Sequence, residues 1–343
     1  MTTAEAEELD MEAMTLGGVS QDFEAAAEDW RKSAQRMLNT PASFAHELNE
    51  LVEGVNKGSP MPFDDRLRFR DGEITLWVGQ NGSGKSMITG QLASVFAMRG
   101  ERTLICSFEM APARTLYRMM RQAMGKAPVA GYESACFLGR WLGWLSSART
   151  DKNPLIWLSN CRSGITPEAV CGMIAVACEE HKCKHIIVDN LTKVVSGEDN
   201  FNGQKNFVSD LTQLAQDYKA HIHLVTHVRK GNNEAETIDK FSVRGTSAIT
   251  DLADNVLLLQ RNFDKVKKLE QGNLSPEEDV SEPDTFLRLA KQRNGDCQNA
   301  LIRLWFDSTS TCFCTSGDCK LPVLCPDWVA DNSQGNRIDD CPF

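Results

Sequence analysis

Short apolar, β-branched blocks recur through the middle of the chain, and amphipathic stretches with a period near 3.6 residues separate them. The blocks are Ile74-Thr75-Leu76-Trp77-Val78, 102–108, 155–158, 185–189, 221–226 and 255–260, and two more close the series at 285–290 and 301–306. Helical patterns fall between them at 85–98, 112–124, 133–147, 166–180, 203–219 and 246–253. Pro167 follows Thr166, the order favoured where a helix begins. Apolar strands alternating with helices predict an α/β fold: a mostly parallel, twisted sheet with helices on both faces. The charged, Pro-containing stretch 264–283 reads as a long surface loop. No internal repeat is visible.

Ahead of this core, 1–20 is acidic and is expected to be disordered or a frayed helix. Residues 21–39 read as a helix with Phe23, Ala26, Ala27, Trp30, Ala34, Met37 and Leu38 on one face. Thr40-Pro41 ends it, and 43–53 reads as a second helix. This apolar face packs either on the chain's own core or on a neighbouring subunit, as a helix laid in a groove. A Gly/Ser/Pro-rich linker spans 56–62. The expected organisation is an acidic segment 1–20, a helical linker segment 21–60, a core domain 61–316 and an acidic flexible tail 317–343.

Composition changes this picture in two places. The net charge of −10 at first disfavours a polyanionic partner. The acidity is concentrated at the ends, with 12 acidic against 4 basic residues in 1–60 and 6 against 2 in 307–343. The middle is therefore mildly positive and able to carry a basic patch. The 12 cysteines are spread without the density of a secreted disulfide scaffold, which implies reduced thiols and a cytoplasmic protein. No apolar run reaches transmembrane length, and the acidic N-terminus resembles neither a signal nor a transit peptide.

The chemistry centres on Gly79-Gln80-Asn81-Gly82-Ser83-Gly84-Lys85-Ser86, with Met87 following. It is the G-x-x-x-x-G-K-S phosphate-loop pattern, set between a strand and a helix as the pattern requires. Glycines let the backbone N–H groups converge on phosphate oxygens, and the helix start adds its dipole. Lys85 should reach the β and γ phosphates of a nucleoside triphosphate, and the Ser86 hydroxyl should ligate Mg²⁺. A second signal is His185-Ile186-Ile187-Val188-Asp189, a buried strand ending in an acid. Asp189 would sit beside the phosphate loop and hold Mg²⁺, directly or through water.

These blocks, together with Ser107-Phe108-Glu109-Met110, Leu224-Val225-Thr226-His227, Arg244-Gly245-Thr246-Ser247-Ala248 and Ala290-Lys291-Gln292-Arg293-Asn294-Gly295, resemble the RecA-like motor domain of ring-shaped replicative DNA helicases. The likeness is to the DnaB type and more closely to the phage T7 gene 4 and Twinkle type, and it covers about 63–306. It implies ATP or dTTP as substrate, a homo-oligomeric ring (a hexamer expected) and single-stranded DNA at a replication fork. It also implies 5′→3′ unwinding and a cytoplasmic place, the host's if the chain is phage-encoded. Glu109 matches the catalytic glutamate that polarises water, and His227 the γ-phosphate sensor. Arg293 matches the arginine finger and Lys291 its companion, both acting on nucleotide held by the next subunit. Arg261 and Phe306 fall where the family sandwiches the base, although Phe306 equally suits core packing.

DNA phosphates would be tracked by Arg229, Lys230, Arg244 and Gly245; the bland alternative is a solvated basic loop. The phage member has a further Arg where this chain has Thr250. No zinc ribbon or primase catalytic domain precedes the linker, so primase, like a DNA polymerase, would be a separate partner. Near the C-terminus Cys312, Cys314, Cys319 and Cys325 are either ordinary thiols or, with poor spacing, a zinc site. Two other functions compete: a RecA-like DNA-binding ATPase of recombination or regulation without unwinding, and a P-loop kinase. A kinase needs an acceptor pocket and an arginine-bearing lid, and has no use for a Lys-x-Arg after the last core strands.

Overall fold

The computed structural model describes residues 30–31, 38–53, 58–146, 153–161, 164–195, 200–228, 247–295, 297 and 299–331. The chain divides into two units, Met1–Asn56 and Lys57–Phe343. In the first, a 3-10 turn at Pro41–Phe44 runs into helix α1 (Ala45–Glu53). Phe44, Leu48, Leu51 and Val52 recur at helical spacing and form one apolar stripe. The expected helix over 21–39 falls mostly outside the described residues.

The second unit is built on a nine-stranded sheet in the order β11-β10-β9-β8-β3-β7-β6-β4-β5. Its parallel centre consists of β3 (Ile74–Gly79), β4 (Thr103–Ser107), β5 (Ile156–Leu158), β6 (His185–Asp189), β7 (His221–His227) and β8 (Asn255–Arg261). β3 lies between β7 and β8, and β6 between β4 and β7. The carboxyl ends of β3, β4, β6 and β7 therefore meet at one edge. The antiparallel flank is β9 (Thr285–Gln292), β10 (Leu301–Asp307) and β11 (Cys312–Cys314).

Side-chain alternation on the central strands supplies two cores. Leu76, Val78, Ile186, Val188 and Leu224 face α5 (Pro167–Glu179) and α7 (Phe201–Tyr218), through Val170, Ile174, Phe207 and Leu211. Between β6 and α7 lies the short helix α6 (Leu191–Val194). On the other face, Trp77, Val225 and Leu257 meet Ile88, Leu92 and Phe96 of α2 (Lys85–Met98). Behind α2 lie α3 (Pro112–Met124) and α4 (Tyr132–Ser146), packed through Met119, Phe137 and Trp141. The expected sheet with helices on both faces is what forms. Helix α8 (Ser247–Leu252) precedes β8.

Three sequence expectations are corrected. The supposed linker 56–62 contributes strand β1 (Ser59–Met61), which pairs with β2 (Asp64–Phe69) in an antiparallel hairpin. Leu67 and Phe69 point into the core while Arg66 and Arg68 stay out, so the strand carries the usual alternation, and Pro60 is tolerated on a two-stranded edge. The expected loop 264–283 contains helices α9 (Phe263–Glu270) and α10 (Pro276–Ser281). Asn262 caps the first; Ser275 and Glu278 form a reciprocal capping box on the second. The supposed flexible tail packs at least as far as α11 (Asp327–Ala330), with Leu324, Cys325 and Val329 buried. Cys312 and Cys325 thiols reach the carbonyls of Gln122 and Ala123, 3.7 Å away in each case. Among the described residues, no cluster of three His, Cys, Asp or Glu side chains is placed to hold a metal ion.

One buried polar group carries a pH prediction. His185 on β6 and His221 and His223 on β7 are fully buried beside Phe69, Trp77 and Phe96. Trp77 Nε1 donates to His223 Nδ1 at 3.3 Å, because an indole can only donate. His223 Nε2 then carries a proton and donates to His185 Nδ1, also at 3.3 Å. The remaining His185 nitrogen faces Ser59 (3.2 Å) and Glu101 (3.4 Å). Burial pushes all three imidazoles below their ordinary range, His221 to about 3. The unfolded chain therefore binds more protons than the folded one at mildly acidic pH. Stability is therefore full above about pH 6.5 and falls on descending below it. Denaturant unfolding at pH 5 should show a less stable core than at pH 7.5. His223→Phe should flatten that slope; an unchanged slope would remove the trio as its source.

Candidate nucleotide site

The phosphate loop runs from the end of β3 into α2, and its conformation depends on missing side chains. Gly84 has φ +93°, and a Cβ there would lie 2.6 Å from the Phe313 ring. At Gly79 a Cβ would meet the Leu259 carbonyl oxygen, also at 2.6 Å. Phe313 is itself fixed by Gln91 of α2, which accepts from its backbone N–H at 2.9 Å and donates to its carbonyl at 3.0 Å. The β10–β11 hairpin thus forms a floor beneath the loop.

A cavity of about 440 Å³ opens over the loop. Asn81, Gly82, Gly84, Lys85, Ser86 and Met87 line it from one side. Glu109, Asp189 and His227 enter from the strand ends of β4, β6 and β7, as the parallel order requires. Lys85 Nζ donates to the carbonyls of Gly79 (2.7 Å) and Gln80 (2.8 Å). Burial lowers its pKa to about 8, opposed by the charges of Asp189 and Glu109. Burial also raises the pKa of Asp189, against the hydrogen bond from Ser86. That bond, Ser86 Oγ to Asp189 Oδ2, is 2.6 Å long. A hydroxyl and a carboxylate so close beside a phosphate cradle form a hard-oxygen pair that suits Mg²⁺.

Two residues at this site, Asn190 behind the cavity wall and Arg118 on it, were not singled out from the sequence. Asn190 follows Asp189, and its amide is oriented by its own oxygen, which accepts from Thr192 Oγ1 and the Lys193 N–H. Its nitrogen therefore donates to Glu109 Oε1 at 2.6 Å and lies 2.8 Å from His227 Nε2. Asn190 bridges the two groups, and His227 Nε2 acts as the acceptor. Arg118 of α3 also lines the cavity, and its charge favours the ionised form of Asp189. Nothing in the local sequence marks either residue; only the convergence of α3 and β6 on the loop does so.

A second cavity, about 340 Å³, adjoins the loop on the antiparallel side. Ser83, Arg261, Phe306 and Phe313 line it together with Lys265 and Leu269 of α9. Phe306 also packs against Phe313, with centroids 5.2 Å apart, so its cavity-facing and core-packing readings coexist. Lys265 is buried, with Asp279 and Asp284 each 2.9 Å from Nζ, and it ties α9 to α10.

Lys291 and Arg293 are not brought to either cavity. β8 runs alongside β3 with Leu259 opposite Gly79, and β9 pairs Gln292 with Asn255, at the far end of β8. Lys291 and Arg293 therefore sit about 10 Å and about 17 Å along the strands from the phosphate loop of their own chain, and two strands across from it. Lys291 Nζ donates to the carbonyls of Thr250, Asp251 and Ala253. Arg293 forms an ion pair with Asp254 at 2.8 Å. The candidate DNA contacts Arg229, Lys230, Arg244 and Gly245 lie outside the described residues.

Two solved structures share this architecture. An isolated ATPase domain superposes with a TM-score of 0.64 at 15% identity, over 80% of this chain and 98% of that one. A DnaB-like replicative helicase, solved in a study of its interactions with primase, gives 0.62 at 14% identity, over 90% of this chain and 77% of that one. At such identities the likeness is one of fold, and it is the fold of helicase ATPase domains. Residues 40–233, more than half of the chain and including the loop, Glu109, Asp189 and His227, match the family described as AAA domain, and the chain belongs to that family.

Proposed function

We propose that this chain is the motor subunit of a replicative DNA helicase, an NTP hydrolase that assembles into a ring, cleaves nucleotide at subunit interfaces and moves along single-stranded DNA. One observation carries this reading. The cavity gathers a phosphate cradle, a carboxylate for water and a metal-binding pair, while the half-exposed Arg293 lies toward the other end of the sheet, beside Lys291, whose ammonium is held by three carbonyls. A neighbouring copy could supply this arginine, which its own copy keeps away from the cradle. Head-to-tail contacts of this kind close into rings.

In this scheme Lys85 and the loop amides bind the β and γ phosphates, and Ser86 and Asp189 hold Mg²⁺, which when bound neutralises phosphate charge. Glu109, oriented by Asn190, accepts a proton from the attacking water. His227, joined to Glu109 through Asn190, is placed to register the γ phosphate. Arg118 adds positive charge from the same subunit, and Arg293 from the next. Arg261 and Phe306 hold the base of ATP or dTTP. The 229–246 segment follows directly on His227, so Arg229, Lys230, Arg244 and Gly245 would transmit the nucleotide state to DNA phosphates. The apolar stripe of α1 is assigned to a neighbouring subunit. No described helix is long and apolar enough to cross a membrane, and cytoplasmic action beside a separate primase and polymerase fits this reading.

The test is hydrolysis with and without single-stranded DNA, followed by unwinding of a forked duplex. Stimulated hydrolysis with strand separation is expected. Stimulated hydrolysis without separation would favour a RecA-like ATPase of recombination or regulation instead.

A further inference from the structure

Arg293 is held in place by the core. Asp254 precedes β8, and its carboxylate is buried although the guanidinium it holds is about half exposed, at 8% and 46% of the side chain respectively. Its two oxygens have different partners. Oδ1 accepts from Arg293 Nη1 at 2.8 Å. Oδ2 accepts the backbone N–H of Ile74, the first residue of β3, at 2.9 Å. The Arg293 N–H in turn donates to the Asp254 carbonyl at 2.9 Å, and Nη2 donates to the Asp251 carbonyl at 2.7 Å. The next residue is fastened as well: Asn294 donates to Glu73 Oε1 at 2.8 Å, and Glu73 is buried.

We propose that Asp254 is a positioning residue for Arg293, presetting the guanidinium for the phosphates of an adjoining copy. The proposal rests on the reading of Arg293 as a cation that acts in trans. An unrestrained arginine loses its rotamer freedom when fixed, and it loses this at the moment it is needed. A guanidinium already forked between a buried carboxylate and a carbonyl has lost most of that freedom on folding. Its remaining N–H groups stay available on the exposed side. The same carboxylate holds the start of β3, whose other end is the phosphate loop. Each subunit thus fastens its own cradle and its outward arginine to opposite ends of one buried strand.

The experiment uses the full chain assembled with single-stranded DNA and ATP. Asp254→Asn keeps the shape but replaces one acceptor by a donor. Its kcat should fall by about 10- to 100-fold, the cost expected of a misplaced group, with nucleotide affinity unchanged. The double variant Asp254→Asn/Arg293→Ala should fall no further than Arg293→Ala alone. Rings mixed from Asp254→Asn and Lys85→Ala subunits should regain hydrolysis, because the first supplies intact cradles and the second intact arginines. Absence of recovery there, while Arg293→Ala mixed with Lys85→Ala does recover, overturns the positioning role and places the defect in the variant's own cradle. If the Arg293→Ala mixture also fails, the trans reading falls and takes this proposal with it. Should the Asn variant not fold, Asp254→Glu displaces the anchor by one methylene and is read by the same mixtures. A wild-type kcat in either folded variant overturns the proposal.

Discussion

Arg293→Ala is expected to lower kcat for NTP hydrolysis by about 10³- to 10⁵-fold, the range found for arginine fingers, while leaving nucleotide binding close to that of the unaltered chain. Two features separate these effects. The side chain lies at the far end of the sheet from its own phosphate loop, so the cradle, Lys85 and Ser86 are untouched. A guanidinium brought in from a neighbour interacts with charge that develops on the transferring phosphoryl group, so its loss falls on the transition state rather than on binding. Lys85→Ala should abolish hydrolysis by another route, removing the cation inside the cradle. Mixed in equal amounts, the two variants give rings in which about a quarter of the interfaces pair an intact cradle with an intact arginine, by chance placement in a head-to-tail ring. Steady-state hydrolysis of the mixture should rise towards that fraction if interfaces fire independently, and less if they fire in sequence. No rise above the separate variants, in rings shown by mass photometry to be mixed, would refute hydrolysis shared between subunits.

The parts of this site visible in the sequence are those fixed by local rules. A phosphate loop needs glycine where the backbone turns left-handed or another backbone crowds it. A buried parallel strand reads as an apolar run, and its last residue must emerge at the sheet edge. Asp189 and His227 obey that second rule and Glu109 follows two residues past the end of β4, so three separate strand ends could be expected to meet. Asn190 and Arg118 obey no such rule: an amide beside an acid and an arginine on a helix are ordinary until the fold brings them over the loop. The errors in the fold have the same origin. Gly58, Ser59 and Pro60 have linker composition, yet Ser59 is buried because its hydroxyl donates to Glu101 at 2.6 Å. Lys265 reads as a solvent-facing charge in a loop, yet Asp279 and Asp284, far along the sequence, neutralise it in the interior. Tertiary partners overrode local preference in both cases. The cap signals of α9 and α10, Asn262 and Ser275-Pro276-Glu277-Glu278, were nevertheless there to be read.

Glu109→Gln should reduce kcat by about 10²- to 10⁴-fold, the contribution of a positioned general base, with nucleotide binding equal or tighter. The carboxylate is open to the cavity and accepts from Asn190 Nδ2, so it is oriented without being neutralised by a cation. Its charge would lie near that of bound phosphates, so its removal would relieve a repulsion in the bound state while taking the proposed proton acceptor from the reaction. The substitution also has a local consequence. The Asn190 amide is committed to donating toward Glu109 and His227, since its oxygen already serves Thr192 and Lys193. A glutamine must therefore turn its own oxygen to Asn190 and direct its nitrogen elsewhere, and it cannot orient water as the carboxylate does. Asn190→Ala keeps the base but frees its rotation, so its loss of kcat should be smaller than that of Glu109→Gln, and the pair should be non-additive because one acts through the other. Single-turnover hydrolysis, with nucleotide affinity measured separately, distinguishes these cases. A Glu109→Gln chain that hydrolyses at the unaltered rate would exclude the β4 carboxylate as the base and leave the bridge to His227 as a purely structural contact.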